Sequence, residues 1–122
     1  MYNKRVIGNE KEQIAAAYLE AQGYKIVACN YFCSAGEIDL IARDGAYLVF
    51  VEVKYRKDLK NGYPEDAITT RKRHSIIKTA SQYLLRHGLS FDSPCRFDVV
   101  SIVADEIKLY QNAFMIEEGY LF

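Results

Sequence analysis

Two apolar runs on either side of Asp44-Gly45 constrain the fold more than any other feature of the chain. Residues 37–42 read EIDLIA and residues 47–53 read YLVFVEV. An Asp-Gly pair between such runs predicts a β-hairpin, because tight hairpin turns need the positive φ that glycine accepts. β-Branched residues dominate the second run, which favours a strand over a helix. We therefore predict a hairpin with Asp44 and Gly45 at its turn.

Side-chain alternation divides the predicted hairpin into two faces. With the turn at these two residues, Asp39 pairs with Phe50, and residues two positions further along share their face. One face is then almost wholly apolar, with Ile38, Leu40, Ala42, Tyr47, Val49, Val51 and Val53. The other face ends in a charged cluster made of Glu37, Asp39, Glu52 and Lys54.

The rest of the chain supplies a helix and a strand before the hairpin, and a helix and two strands after it. Helical spacing predicts helices over residues 9–23 and about 70–87, and apolar runs predict strands over 24–32, 96–104 and 107–114. A turn around Asp105-Glu106 joins the last two strands. The order αβββαββ predicts an α/β domain with a mixed sheet. A chain of 122 residues suits a single domain spanning residues 1–122.

Charge is balanced over the whole chain but not along it. Sixteen basic and sixteen acidic residues cancel, whereas the segment from Lys54 to Lys78 contains eight Lys or Arg against three Asp or Glu. Such a local surplus is typical of a phosphate-binding surface, and a solvated helix face can look the same. The residues that we expect to contact nucleic acid are Arg56 and Lys57, in a polar loop predicted for residues 55–63, and Arg71, Lys72 and Arg73 on the second long helix.

Compartment and redox state follow from simple counts. No run of about 18 apolar residues predicts a membrane span, and the first residues, MYNKRVIGNEKEQ, are too polar for a signal peptide. We therefore expect a cytoplasmic protein that does not enter a membrane. Cys29 and Cys33 are a weak indication of zinc, because no further Cys or His completes a site. With Cys95 they are better explained as reduced thiols packed in the core.

The charged cluster of the hairpin allows two interpretations. Carboxylates are costly to bury unless they are paired or hold a metal ion. In the first interpretation Lys54 neutralises Glu52, while Asp39 caps a turn or pairs with Arg96. We also expect Asp98 to support the fold by pairing with Arg96. In the second, carboxylate oxygens hold a hard cation such as Mg²⁺, and Lys54 stabilises charge on a phosphate. The residue pattern alone leaves both open.

The same residues carry a family resemblance. Asp39 followed by Glu52-Val53-Lys54, on a hairpin after a helix, resembles the motif of the PD-(D/E)XK nuclease superfamily, and Glu12 matches the first-helix glutamate of its Holliday-junction-resolvase-like branch. The segments GEIDLIA, FVEVKYR, RFDVVSI and NAF resemble the YraN family of endonuclease-like bacterial proteins, over nearly the whole chain from Gly8 to Phe114. This resemblance implies a restriction-endonuclease-like fold, a central mixed β-sheet flanked by helices.

The resemblance also implies roles at the matched positions. Asp39 and Glu52 would be metal ligands, Lys54 the catalytic lysine, and Glu12 a further catalytic carboxylate, with Glu37 of the GEID motif assisting. Mg²⁺ or Mn²⁺ would be the cofactor and DNA, including branched or structured DNA, the substrate of phosphodiester hydrolysis. Arg56 and Lys72 match basic positions of the family and would contact phosphate. A homodimer would suit a cut in both strands, and the alternative function is a non-catalytic nucleic-acid-binding module on the same fold.

Three positions qualify these implied roles. Glu12 also stands at the third position of a capping box begun by Asn9, so its side chain could simply bond the Asn9 backbone N–H. Ile38 replaces the proline of the superfamily motif, which is usual in this branch. Lys11 stands where the family commonly has glycine, which weakens the role implied for Glu12.

Overall fold

The computed structural model describes residues 9–58, 68–90 and 92–114. Its elements are α1 (Glu10–Ala21), β1 (Lys25–Cys33), β2 (Gly36–Asp44), β3 (Tyr47–Arg56), α2 (Thr70–Arg86), β4 (Cys95–Val103) and β5 (Glu106–Phe114). The five strands form one sheet in the order β1-β2-β3-β4-β5, in which only β3 and β4 run parallel. The predicted α/β class, mixed sheet and order αβββαββ are confirmed. Within the described ranges, no helix has the length and apolar character needed to cross a membrane.

Local signals explain where the helices begin and end. The Asn9 side chain accepts a hydrogen bond of 2.9 Å from the backbone N–H of Glu12, and Thr69 does the same for Lys72 at 3.1 Å. Each cap satisfies one of the backbone donors that have no partner at a helix N-terminus. α2 ends at Arg86 and is followed, after His87, by Gly88, whose φ of +65° suits a residue without a side chain.

Each helix covers one face of the sheet. The core beneath α1 contains buried side chains from α1, from the residue before β1, and from β1, β2, β3 and β4, namely Ala15, Ala16, Leu19, Tyr24, Ile26, Leu40, Ala42, Val49, Val51, Val100 and Ile102. The core beneath α2 contains Ile38, Ile41, Leu48, Phe50, Ile68, Ile76, Ile77, Ala80, Tyr83, Leu84, Phe97, Val99 and Phe114. Both faces of the central strands are therefore buried, which explains their nearly continuous apolar runs.

The turn of the β2–β3 hairpin lies one residue later than predicted. Asp44 pairs with Tyr47, so Gly45 and Ala46 form the two-residue loop. Of these two residues only Gly45 has a positive φ, +58°, which matches a turn with glycine at its first central position. Each β2 residue therefore pairs with a β3 residue two positions later than predicted. Because a shift of two keeps side chains on the same face, the predicted assignment of β3 residues to the two faces is unchanged.

Two other predicted boundaries near hairpins are also wrong. Val103 pairs with Glu106, so the β4–β5 turn consists of Ala104 and Asp105 rather than Asp105 and Glu106. Tyr55 and Arg56 belong to β3 and not to the predicted loop, because β4 pairs with them in parallel. Residues 59–63 of that loop lie outside the described residues.

Arg96 holds a buried charge at the hairpin end of the sheet. Its guanidinium donates to Asp98, which is fully buried, at 2.9 Å and to Asp44 at 2.8 Å. The Tyr24 hydroxyl and the Asn112 backbone N–H also donate to Asp98, at 2.7 and 2.9 Å. The prediction that Asp98 supports the fold through Arg96 is confirmed, and the pairing of Arg96 with Asp39 is wrong.

Candidate active site

β2 and β3 separate at Asp39. Their described pairing reaches Leu40 and Val51 and goes no further toward the charged end. There the Asp39 carboxylate accepts a hydrogen bond of 2.8 Å from the backbone N–H of Val53. Side-chain alternation also breaks, because Ile38 packs in the core beneath α2 and Leu40 in the core beneath α1. The predicted placement of Ile38 on the face of Leu40 is therefore wrong, since a strand that bends at Asp39 no longer alternates regularly.

Acidic side chains from three elements meet where the strands separate. Glu12 of α1 and Glu37 and Asp39 of β2 each offer a carboxylate oxygen, and these oxygens lie within 4.8 Å of one another. Together with Glu52 of β3 they line a cavity of about 490 Å³, called the acidic cavity below. Its other lining residues are Asn9, Glu10, Lys11, Val53 and Tyr55. The cavity lining thus contains three of the four residues implied to be catalytic, Glu12, Asp39 and Glu52, with Glu37 added.

Burial and mutual repulsion set the electrostatics of this cluster. Glu12 and Glu52 are only 6% and 5% exposed, and Glu12 Oε1 is buried without a hydrogen-bond partner. Burial is the largest cause of a raised pKa for Asp39, followed by the negative charge of Glu52, a side-chain hydrogen bond with Glu52 and the charge of Glu12. The bond from Val53 acts in the opposite direction. Without a cation, the cluster therefore retains a proton near neutral pH.

Two lysines hold the Glu52 carboxylate from the α2 side. The Lys54 ammonium lies 3.4 Å and the Lys72 ammonium 3.5 Å from Glu52 Oε2. Lys54 reaches Glu52 because residues two apart on a strand share a face. Lys72 arrives from the first turn of α2. Lys72, expected to contact phosphate, therefore lies at the acidic cluster itself.

Glu12 takes part in the N-cap half of the predicted capping box, because its backbone N–H donates to the Asn9 side chain. The bond predicted from its side chain to the Asn9 backbone N–H stays a prediction. Its carboxylate lies beside those of Glu37 and Asp39 in the acidic cavity. Capping alone therefore does not account for this side chain, because one of its buried oxygens has no partner.

The other basic residues lie in different places. Arg56 and Lys57 follow Lys54 at the end of β3, and Arg71 is exposed at the start of α2. Arg73 instead lines a second cavity, of about 600 Å³, together with Val99, Leu109, Tyr110 and Phe114. The predicted basic run of α2 is thus divided, with Lys72 at the acidic cluster and Arg73 directed elsewhere.

One contact at the cavity rim has no clear signal in the sequence. The Lys11 ammonium lies 4.1 Å from the centre of the Tyr55 ring, a cation–π contact. Lys11 stands where the family resemblance leads us to expect glycine. Only the docking of α1 across the sheet brings it to Tyr55, because these two residues are far apart in the chain.

The donor atoms of the cavity suit a hard divalent cation. The candidate ligands found among the described residues are all carboxylates, with no Cys or His. Mg²⁺, Mn²⁺ and Ca²⁺ prefer such oxygen ligands, whereas a structural zinc site favours sulfur and nitrogen. The buried Glu12 oxygen without a partner and the raised pKa of Asp39 both indicate that the protein itself does not compensate the negative charge of this cluster. The residues present therefore fit Mg²⁺ or Mn²⁺.

Comparison with known proteins agrees with the motifs. The model of the "Uncharacterised protein family UPF0102" matches residues 11–102. A UPF0102 protein of Lachnoclostridium phytofermentans is 54% identical over 92% of this chain and 95% of its own. UPF0102 proteins of Symbiobacterium thermophilum and Nitrosococcus oceani are 47% and 44% identical, each over 90% of this chain and over 97% and 92% of their own. The chain therefore belongs to the UPF0102 family, which is the YraN family that its motifs resemble.

Proposed function

We propose that this protein is a divalent-metal-dependent endonuclease that hydrolyses phosphodiester bonds of DNA. The observation that carries the proposal is the meeting of Glu12, Glu37 and Asp39 within 4.8 Å, beside a buried Glu52 that contacts two lysines. Like charges so close together are costly in a folded protein. A bound cation would neutralise these carboxylates and so explain why they lie together, which ion pairing with the lysines alone does not.

The carboxylates would hold the metal, and the lysines would act on the phosphate. Asp39 and Glu52 are the proposed ligands, with Glu12 and Glu37 as further carboxylates at the same cavity. When bound, the ion would supply charge neutralisation and a water of lowered pKa. Lys54 stands next to Glu52, where its ammonium can stabilise the negative charge that develops on the phosphate oxygens.

Cations around the cavity make the approach of DNA plausible. A phosphate entering an acidic cavity meets repulsion unless positive charge surrounds it. Lys54 and Lys72 lie at Glu52, and Arg56 and Lys57 continue the basic end of β3. We infer that the DNA backbone binds on the side of these four basic residues, and that the metal binds at the carboxylates of the acidic cavity.

The test combines metal binding with cleavage. Mn²⁺ and Mg²⁺ are titrated calorimetrically into wild type, Asp39→Asn and Glu52→Gln, with Glu106→Gln as a control at an exposed carboxylate of the β4–β5 hairpin. The same proteins are then incubated with linear, forked and four-way-junction DNA. We expect wild type and the control to bind metal and cut DNA, and both site variants to do neither. Equal, nil metal binding by all four proteins would overturn the proposal.

One observation favours the alternative of a non-catalytic nucleic-acid-binding module. Two ammonium groups already neutralise Glu52 without any metal. A binding module predicts salt-dependent DNA binding that survives Asp39→Ala and weakens in Lys72→Ala. It also predicts intact DNA at the end of every incubation with metal. Cleavage that requires Asp39 would exclude it.

A further inference from the structure

Phe32 is a large apolar side chain left in solvent beside the acidic cavity. It is 70% exposed, more than any other large hydrophobic residue in the described part of the chain. It lies near the end of β1 and pairs directly with Glu37, which lines the cavity. Directly paired residues of antiparallel strands project from the same face, with Cβ atoms about 5 Å apart. The Phe32 ring is therefore an immediate neighbour of the carboxylate cluster.

A second exposed aromatic residue borders the cavity on its other side. Tyr55 is 41% exposed, lines the cavity and lies two residues after Val53, which packs against the core beneath α1. Alternation along β3 thus places Tyr55 on the α1 side of the sheet. Lys11 contacts the Tyr55 ring, which leaves Phe32 as the more exposed ring of the two.

We propose that Phe32 stacks on an unpaired nucleobase next to the phosphate held at the acidic cavity. This rests on the proposed nuclease function and adds the substrate class, which is DNA with an unstacked base at the cleavage position, such as a gap, a fork or a branch. A ring in solvent can stack only on a base that has left its neighbours, because the faces of bases inside a continuous duplex are already covered. The cations available to the phosphate that accompanies the base are Lys11, which lines the cavity, and Lys54 and Lys72, which contact Glu52 of its lining.

Charge and chemistry favour a nucleotide over an apolar partner here. An aromatic ring next to carboxylates and lysines is a mixed surface, not a continuous apolar patch of the kind that docks another protein. Aromatic rings combined with a basic groove are the usual means of holding single-stranded nucleic acid. Stacking is also tolerant of sequence, so Phe32 would select DNA by structure and not by base.

The absence of tryptophan from the chain allows a direct test. Phe32→Trp places a single tryptophan, which can be excited apart from the tyrosines, at the proposed stacking position. Leu85→Trp places one at another exposed site, 56% exposed and roughly 20 Å along α2 from Lys72. Phe32→Ala and Leu85→Ala are the matched deletions. Affinities for a continuous duplex and for the same duplex with a short gap are measured by anisotropy in Ca²⁺, with DNA integrity checked on denaturing gels.

We expect Phe32→Ala to weaken binding to gapped DNA by about tenfold and to leave duplex binding unchanged. Phe32→Trp should bind gapped DNA as wild type does, and its emission should be quenched by gapped DNA but not by duplex. Leu85→Trp should show no such quenching, and Leu85→Ala no loss of affinity.

Three results would overturn the inference. They are an equal effect of Phe32→Ala on both DNAs, no effect on either, or unquenched emission from Phe32→Trp bound to gapped DNA. If any of them occurs while Asp39→Asn still abolishes metal binding and cleavage, the stacking role of Phe32 is wrong and the proposed nuclease function is retained. If wild type binds neither metal nor DNA, both fall.

Discussion

The Asp39 carboxylate accepts a hydrogen bond of 2.8 Å from the backbone N–H of Val53, at the point where β2 and β3 separate. A side chain thus takes the place that a backbone carbonyl would occupy in a regular ladder. The bond fixes Oδ2 of Asp39, in a carboxylate that has an oxygen within 4.8 Å of those of Glu12 and Glu37. The strand separation therefore creates both the cavity and the orientation of its central acid.

Stability of the metal-free protein should fall as the pH rises toward 8. Burial and neighbouring carboxylates raise the pKa of Asp39 from 3.8 to about 8. The folded protein then binds this proton more tightly than the unfolded chain, so the stabilisation is complete below pH about 4 and is lost as the pH passes through the folded value. Urea unfolding between pH 5 and about 9 in EDTA measures the slope.

Asp39→Asn should remove that slope. An amide oxygen can still accept the bond from Val53, while its NH₂ group can donate to Glu52 and no proton is gained or lost. We expect the unfolding free energy of the variant to exceed that of wild type by about 0.5–2 kcal/mol at pH 8 in EDTA, a common gain for a stabilising substitution at a functional site. A variant that keeps the wild-type slope would assign the pH dependence to another group.

Mn²⁺ should reverse the loss of stability. The metal binds the deprotonated cluster, so its stabilising effect should be larger at pH 8 than at pH 6. At a concentration of about 100 times the dissociation constant, linkage predicts about 2.7 kcal/mol in wild type. Thermal scans with and without Mn²⁺ check this, with Glu106→Gln expected to respond fully and Asp39→Asn not at all. A shift that is the same in Asp39→Asn would place the metal elsewhere.

Lys54 and Lys72 should be coupled through Glu52. Each single Lys→Met change leaves the other ammonium in place, and both lysines are partly exposed, so each should cost about 1 kcal/mol or less. The double variant leaves a buried carboxylate without a cation and should exceed the sum of the singles by about 1–3 kcal/mol. A double-mutant cycle of unfolding free energies in EDTA measures the coupling. If the two single effects simply add in the double variant, burial of the Glu52 carboxylate does not depend on having at least one of the two lysines.

Gly36→Ala should destabilise the protein by about 2–4 kcal/mol. Gly36 has a φ of +151°, and a Cβ there would overlap the Ser75 hydroxyl, which donates a hydrogen bond of 2.8 Å to the Ala35 carbonyl. The β1–β2 turn therefore lies directly against α2. Gly88→Ala is the matched control, because its φ is also positive but its Cβ would meet nothing within 4 Å. Its cost should be about 1–2 kcal/mol, and equal costs would show that close approach is unimportant.

Arg96→Ala should cost about 3–5 kcal/mol in unfolding free energy, because it leaves the fully buried Asp98 carboxylate without its cation. Asp44→Ala removes the partly exposed partner of the same guanidinium and should cost about 1 kcal/mol or less. Urea unfolding of the two variants compares them. Similar costs would show that the burial of Asp98 is not what makes Arg96 important.

The hairpin and the shared face of Glu52 and Lys54 could be predicted because both depend on local geometry, whereas the bend at Asp39, which moves Ile38 and Glu37 to the faces opposite to those predicted, could not. Residues two apart on a strand share a face, so Glu52 and Lys54 lie together whatever the position of the turn. Moving the turn from Asp44-Gly45 to Gly45-Ala46 changes the pairing by two residues and leaves the face of each β3 residue as predicted. The position of the turn was missed because glycine suits either central position of a two-residue turn, and here Gly45 takes the first, with a φ of +58°.

Tertiary packing decided the composition of the candidate site. Glu12 reaches Asp39 because α1 packs across the sheet, and Lys72 reaches Glu52 because α2 covers the other face. Neither contact has a period or a spacing from which to predict it, and Glu12 was expected at the site only by resemblance. Sequence by itself determined which residues could share a strand face, since backbone geometry repeats every two residues. Only the folded chain determined which distant charges meet, because burial of the two cores sets where each helix lies.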